Sequence, residues 1–316
     1  MKNPNYVING IDMSDPLSSI VNLLQPKADF SKVLHAAGTW RIRREEIGNP
    51  FYCVVLDGRC EFTLQGDEPI ALTAGDFILV PEAHNFTVSS SPPPALNMPD
   101  SVPVKTAANR FFAGDESREL NAHLLIGHCQ FASPDSNLLV SLLPKLVHIC
   151  AATKLTTLVE LVIEESLAQR PGRDSVLSRL LEILLIEAFR TQMNTPDAPG
   201  LLVGLADERL AVAIRKIHQD VNQAWTIEQL AKEASLSRSA FFQRFSKAVG
   251  CTPMEYIIRW RMAIAKDLLR QQNYSMATIA ERIGYQSASA FSSAFSKYVG
   301  QPPSKYIEET ASQAAN

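Results

Sequence analysis

Two short stretches carry side chains whose types and spacing suit contact with a nucleic acid. Arg238, Ser239, Phe242, Gln243, Arg244 and Lys247 follow Ser237, and Ala288, Ser289, Ser292, Ser293 and Lys297 follow Ser287. If each stretch is a helix, Phe241 and Phe245, or Phe291 and Phe295, mark an inner face. Arg238, Ser239, Phe242 and Gln243 then lie on the outer face of the first helix, and Ala288, Ser289, Ser292 and Ser293 on that of the second. A Gln amide can bond adenine through two atoms, and a Phe ring can pack on a thymine methyl. Arg238 and Arg244 have the reach for phosphate or guanine, and Lys247 and Lys297 suit phosphate. An exposed polar helix face with solvated charges is the alternative reading of the same residues.

The elements that must hold these side chains form an internal repeat. Between 237–257 and 287–307, an offset of 50, twelve of 21 positions are identical, including both Phe pairs, Gly250/Gly300, Pro253/Pro303 and Tyr256/Tyr306. A repeat at fixed spacing is one structural unit used twice. Each copy has an apolar helix, a short turn, a Ser placed as an N-cap, a second helix and a closing Gly. That is helix-turn-helix grammar, expected over about 226–250 and 275–300. Thr226-Ile227-Glu228-Gln229 reads as a capping box. The run 254–272 reads as a connecting helix, about 28 Å long at about 1.5 Å per residue. Successive major grooves on one DNA face lie about 34 Å apart, so a rigid rod of this length can set two readers in adjacent grooves.

Upstream the periodicity changes. Residues 38–90 read as short strands: Trp40–Arg43, Phe51–Leu56, Cys60–Leu64, Ile70–Leu72 and Phe77–Val80, with Asp57-Gly58 expected to turn a hairpin. A Ser- and Pro-rich excursion over 89–103 and a closing strand, 124–131, follow. Two amphipathic helices are expected within 154–192, broken at Arg170-Pro171-Gly172, and a linker at 194–200. The helices suit either dimer contacts or packing on the barrel. The fold class expected is α+β multidomain: an antiparallel barrel or sandwich over 1–135, a helical linker or dimerisation region over 136–200, and an all-α domain with two helix-turn-helix motifs over 207–310.

Composition fits this division. The 316 residues are 46% apolar and 20% charged, which excludes wholesale disorder. The net charge of −3 hides an asymmetry: residues 207–310 hold 14 Lys and Arg against 10 Asp and Glu, so the basic excess lies there. No apolar run reaches membrane-spanning length, and the first residues, Met1–Tyr6, lack an apolar signal core, so a cytoplasmic protein with no membrane association is expected. Five Cys without CxxC spacing argue for neither a disulfide framework nor a zinc ribbon.

Residues 207–310 resemble the DNA-binding domain of the AraC/XylS transcriptional regulators. The resemblance rests on Trp225-Thr226, Ser237-Arg238-Ser239-Ala240-Phe241, Phe245, Gly250, Pro253-Met254-Glu255-Tyr256, Trp260-Arg261-Met262, Ile279-Ala280-Glu281, Gly284-Tyr285, Ala290-Phe291, Ala294-Phe295, Gly300 and Pro303. These specific motifs cover a third of the chain. Asp15-Pro16-Leu17, Gly75-Asp76, Pro81, Leu125-Ile126-Gly127-His128, Leu142-Leu143-Pro144, Ala206-Asp207-Glu208-Arg209 and Ile217-His218 are similar, more loosely, to one subgroup of that family with a cupin-type N-terminal domain. The resemblance implies that 1–135 is a cupin-like antiparallel β-barrel sensor domain, and it implies double-stranded DNA, a small-molecule effector, RNA polymerase and a second copy of the chain as partners. It places Ser239, Phe242 and Gln243 at base-reading positions. Many relatives carry Arg or Gln where this chain has Ala288, Ser289, Ser292 and Ser293, which implies a weaker second reader with more backbone anchoring.

Two other classes compete. A catalytic cupin holds a metal with two His and a carboxylate from one hairpin and a later His; here Phe51-Tyr52-Cys53 carries no His-x-His, and His84 with Tyr52, Cys53 or Glu61 is a poor donor set, so no metal, cofactor or catalytic residue is expected. His123 and His128 read as core residues. A scaffold with a silent DNA domain is the other class, against which the intact caps and repeat argue. For the sensor, Tyr52, Val54, Phe62 and His84 are the expected effector-pocket lining, with a barrel filled by its own side chains as the alternative. Cys53 and Cys60, flanking Asp57-Gly58, are a candidate redox pair against two inert buried thiols.

Overall fold

The computed structural model describes residues 7–8, 11–12, 15–131, 139–168, 170–193 and 200–314. The linker expected at 194–200 lies, except for Gly200, outside them, as do Met1–Tyr6. The elements are β1 (Val7–Ile8), β2 (Ile11–Asp12), α1 (Pro16–Leu24), β3 (Pro26–Ala37), β4 (Arg41–Leu64), β5 (Ile70–Thr73), β6 (Phe77–Ser90), β7 (Val104–Ala107), β8 (Arg110–Gly114), β9 (Leu120–Phe131) and β10 (Val147–Ile149). The helices α2 (Thr153–Leu167), α3 (Arg173–Gln192), α4 (Leu201–Ala206), α5 (Glu208–Gln219), α6 (Ile227–Glu233), α7 (Arg238–Val249), α8 (Pro253–Gln271), α9 (Met276–Arg282), α10 (Ala288–Val299) and α11 (Pro303–Ala314) follow.

They form two compact units, neither contiguous in sequence. The sheet unit gathers the described residues of 25–132 and 145–195, and the helical unit those of 1–24, 133–144 and 196–316. This regroups the expected segments 1–135, 136–200 and 207–310. α3 buries Leu177, Leu181, Leu184, Leu185, Ala188 and Phe189 and packs on α2, β3 and β10, so these helices belong to the sheet unit rather than to a separate linker. A stripe that wide needs a surface, and the sheet supplies it. α1 buries Leu17, Ile20, Val21, Leu23 and Leu24 and packs with α5 and α8 in the helical unit. Residues 139–143 join it there: Leu139, Val140, Leu142 and Leu143 are buried, Leu201 N donates to Leu142 O at 2.8 Å, and Arg259 Nη1 donates to Ser141 Oγ at 3.0 Å.

The sheet is curled and cupin-like, in the order β10-β6-β4-β9-β3-β8-β7 with β5 on β4, antiparallel except for β3 with β8. Its interior packs Trp40, Phe51, Cys53, Val55, Cys60, Phe62, Ile78, Val80, Phe86, Val88, Leu124 and Ile126. The hairpin expected at Asp57-Gly58 is absent. β4 runs unbroken through it, and both its ends pair with one stretch of β6: Arg41–Glu45 with Asn85–Ser89, and Cys60–Leu64 with Phe86–Ser90. The register slips at Val55/Asp57, where Gly58 takes φ +77° and a Cβ would stand 2.1 Å from Asn121 O. Asp-Gly here makes a bulge that bends one long strand and admits the β9 backbone. The excursion after β6 is pinned: buried Arg41 pairs with Asp100 at 2.6 Å and also donates to Met98 O.

Candidate nucleic-acid interface

In the helical unit, the repeat seen in the sequence becomes two sets of matching contacts. Ser237 Oγ accepts from Ala240 N at 3.3 Å, and Ser287 Oγ from Ala290 N at 3.1 Å, capping α7 and α10. Phe241 and Phe245, like Phe291 and Phe295, are fully buried with ring centroids 5.6 Å apart. Phe245 meets Tyr256 edge-on at 5.7 Å, and Phe295 meets Tyr306 at 5.6 Å. Gly250 and Gly300 close the helices at φ +82° and +85°. The capping box at Thr226 and Gln229 is present, and Ser275 caps α9 through Thr278 N. The lead helices repeat at a different offset. Ser235 N donates to Lys232 O and Leu236 N to Ala231 O, while Gly284 N donates to Glu281 O and Tyr285 N to Ala280 O, an offset of 49. The second copy therefore holds one more residue between turn and cap than the first.

With the Phe pairs facing inward, the opposite faces are open. Arg238, Ser239, Phe242, Gln243, Arg244 and Lys247 are all exposed on α7. On α10, Ser289, Ser293 and Lys297 are exposed, and Ala288 and Ser292 half-buried. Phe242 is an apolar ring 38% exposed. Two of the arginines are tied back. Arg238 Nε lies 3.0 Å from Glu228 of α6. Arg244 Nε bonds Asp207, which itself caps α5 through Arg209 N and Leu210 N. Arg244 thus anchors α7 to α5, a role its spacing does not announce.

The connector α8 is centred on Trp260, fully buried. His218 of α5 stacks on it at 3.9 Å and shares a 2.7 Å hydrogen bond with the Tyr256 hydroxyl. Burial depresses the His218 pKa from 6.5 to about 3, so this imidazole is neutral. Arg261 is a residue whose role was not read from the sequence. Its Nε and Nη2 donate to Val221 O and Gln223 O at 2.9 and 2.7 Å, ahead of the first helix-turn-helix, and its guanidinium lies against Tyr285 in the turn of the second. At Gly284, φ +80°, a Cβ would meet Arg261 Nη2 and Asn222 O, both at 2.6 Å.

The sheet unit does not bring the expected effector residues together. Along β4, side chains alternate: Phe62 points into the packed interior with Phe51 and Cys53, whereas Tyr52 is outside that cluster, its ring lying over Gly127, and Val54 shares its parity. His84 is exposed beside Glu82. The expected lining Tyr52, Val54, Phe62 and His84 is therefore corrected. A concavity of about 420 Å³ lies instead against Arg43, Glu45, Thr63, Gln65, Asn85, Phe86 and Thr87. It is built where both ends of β4 flank β6, with Thr87 registered against Arg43 and Thr63, and Asn85 against Glu45. The polar alternation of 43/45, 63/65 and 85/87 was the available signal.

Cys53 and Cys60 are 2% and 0% exposed. Burial pushes the Cys53 thiol up, and that of Cys60 up to about 12, so neither offers a reactive thiolate. Both lie inside the packed interior, which favours the alternative of two inert buried thiols over a redox pair. His123 and His128, expected in the core, are half-buried; burial chiefly lowers the His128 pKa to about 4, and burial first and His35 next hold His123 below its ordinary value. The exposed thiol is Cys150, beside His148 and Asp76, a trio the sequence reading overlooked because β10 lay outside the strands it identified.

A cupin family profile matches residues 15–194, and a helix-turn-helix domain profile matches 230–309. A putative AraC-like transcription regulator of Streptomyces lividans is 33% identical over 299 residues, spanning 92% of this chain and 97% of its own. The chain belongs to the AraC-like family of transcription regulators. An uncharacterized HTH-type transcriptional regulator of Haemophilus influenzae is 28% identical over 297 residues, covering 92% and 98% of the two chains. The regulator AlkR of Acinetobacter baylyi is 30% identical over 270 residues, covering 81% and 87%. This regulator couples a cupin-like N-terminal domain to a DNA-binding helix-turn-helix domain. Among the described residues no helix is long and apolar enough to cross a membrane.

Proposed function

We propose that this regulator reads two successive major-groove segments of one operator through α7 and α10, under the control of a small molecule held by the sheet unit. The observation that carries the reading is the duplicated packing on one connector, which leaves Ser239, Phe242 and Gln243 of one copy and Ser289 and Ser293 of the other open to solvent. Arg238 and Lys247 supply charge for phosphate on the first side and Lys297 on the second. Ala288 and Ser292 offer little to a base edge, so the second copy anchors more than it reads. The effector site of this reading is the concavity at Arg43, Glu45, Thr63 and Asn85, of a size that suits one small polar ligand. Exposed Leu161, Leu167, Val176 and Ile183 on α2 and α3 support a homodimer. RNA polymerase as a partner, a cytoplasmic setting and a non-enzymatic role complete the proposal. The non-enzymatic role is supported by relatives that are transcriptional regulators.

Footprinting of the full chain on its own upstream region tests this. Two protected segments about one helical turn apart are expected, the one under α7 lost in Gln243→Ala and the one under α10 weakened in Ser293→Asp. A single segment indifferent to both changes, or turnover of a substrate that a chelator abolishes, overturns it.

A further inference from the structure

We infer that Asp76, His148 and Cys150 form a site for one divalent transition-metal ion of the zinc type, on the edge of the sheet and apart from the effector concavity. β10 pairs with β6 so that Ile149 faces Phe77 and His148 faces Ile78. One step further in that antiparallel register, Cys150 comes opposite Asp76. His148 and Cys150, two residues apart, share a face of the strand. Ala152 N donates to Gly75 O at 2.7 Å, so the two segments stay together past the ladder.

The donor atoms converge. His148 Nε2 lies 3.6 Å from Asp76 Oδ2 and 3.9 Å from Cys150 Sγ, and all three lie within 4.8 Å of one another. A tetrahedral ion with bonds of about 2.0–2.3 Å sets its donors roughly 3.3–3.8 Å apart. Small side-chain shifts close the difference. Thr73 N and Oγ1 donate to Asp76 Oδ2 at 2.9 and 3.2 Å, the kind of outer support that fixes a ligating carboxylate. One imidazole, one thiolate and one carboxylate together favour zinc and its neighbours over magnesium or calcium, whose sites are built from oxygen alone. Asp76 is buried, His148 half-buried and Cys150 exposed, so an ion enters from solvent and meets a partly desolvated floor. As the metal–sulfur bond forms, the thiol proton passes to solvent. Three protein donors leave a fourth position for water or an exogenous ligand. The bound ion ties β10 to the turn before β6, close to Lys145, where the chain enters the sheet unit.

Titration of the chelator-stripped full chain with Co2+, under a phosphine reductant, tests the site. One equivalent is expected to give tetrahedral ligand-field bands and a thiolate-to-cobalt charge-transfer band, both displaced by Zn2+. Cys150→Ser should lose the charge-transfer band, and His148→Gln should weaken binding at least about tenfold. Zn2+ should raise the thermal midpoint of the parent chain and leave that of Cys150→Ser unmoved. The absence of saturable one-to-one binding overturns the site. So does either variant, with its circular dichroism unchanged, binding Co2+ as the parent does, because the substituted side chain would then not be a ligand.

Discussion

The guanidinium of Arg261 lies 5.9 Å from the centroid of the Tyr285 ring while two of its nitrogens hold the carbonyls of Val221 and Gln223. One side chain on the connector therefore touches the entrance to the first helix-turn-helix and the turn of the second. A long helix alone sets a distance between two readers; a side chain fastened at both ends also limits their relative rotation.

Replacing Arg261 with Ala removes two charge-assisted bonds to backbone and leaves the Val221 and Gln223 carbonyls to find new partners. A stability loss of about 2 kcal/mol is expected in urea melts. Affinity for a two-segment operator should fall further than for a probe carrying the first segment alone. Equal loss on both probes would mean that Arg261 supports stability without coupling the readers.

Gln243 and Lys247 separate recognition from attraction. Gln243→Ala should cost about 1–3 kcal/mol on the native operator and relax preference at one base pair. Lys247→Ala should weaken all duplexes alike and lower the salt slope by about 1. Competition binding at several salt concentrations distinguishes the two.

Much of this was legible because the helical unit obeys local rules. Caps at Ser237 and Ser287, the Phe pairs and the closing glycines all stand within a few residues of what they act on. The sheet unit was read less well, because its pairings are distant. Asp57-Gly58 looks like a hairpin when only its neighbours are weighed; that β4 continues depends on β6 and β9 flanking it. Register also decided the fate of the expected pocket, since Tyr52 and Phe62 lie on different faces only once the bulge at Gly58 is placed. The tie of Arg244 to Asp207 and the role of Arg261 escaped notice for the same reason: Asp207 and Tyr285 are 37 and 24 residues away.

His218 makes stability depend on acid. In the unfolded chain it takes a proton near pH 6.5, whereas in the fold it resists down to about 3. Between those values the unfolded state binds more protons, so stability is lost as pH falls from 6.5 towards 3, by at most about 1.4 kcal/mol per unit. His218→Gln keeps a partner for the Tyr256 hydroxyl and should flatten that part of the curve. An unchanged slope in chemical denaturation from pH 6.5 to 4 would assign the effect to other groups.

The thiols should separate cleanly under alkylation. In metal-free native protein Cys150 is expected to react first, with Cys53, Cys60 and Cys129 modified only on unfolding. Peptide mass mapping against time reads this directly. Cys53→Ser and Cys60→Ser should leave any oxidant response of a reporter gene in place.

A practical hazard follows from α1 and residues 139–143 belonging with the C-terminal helices. A gene fragment begun at residue 196 or 207 would strip away Ile20, Leu24, Leu139 and Leu142 and lay bare the greasy ground beneath them. Such a truncate should clump in solution unless the missing aliphatic cover is restored by a co-expressed peptide or by polar substitutions where it had lain.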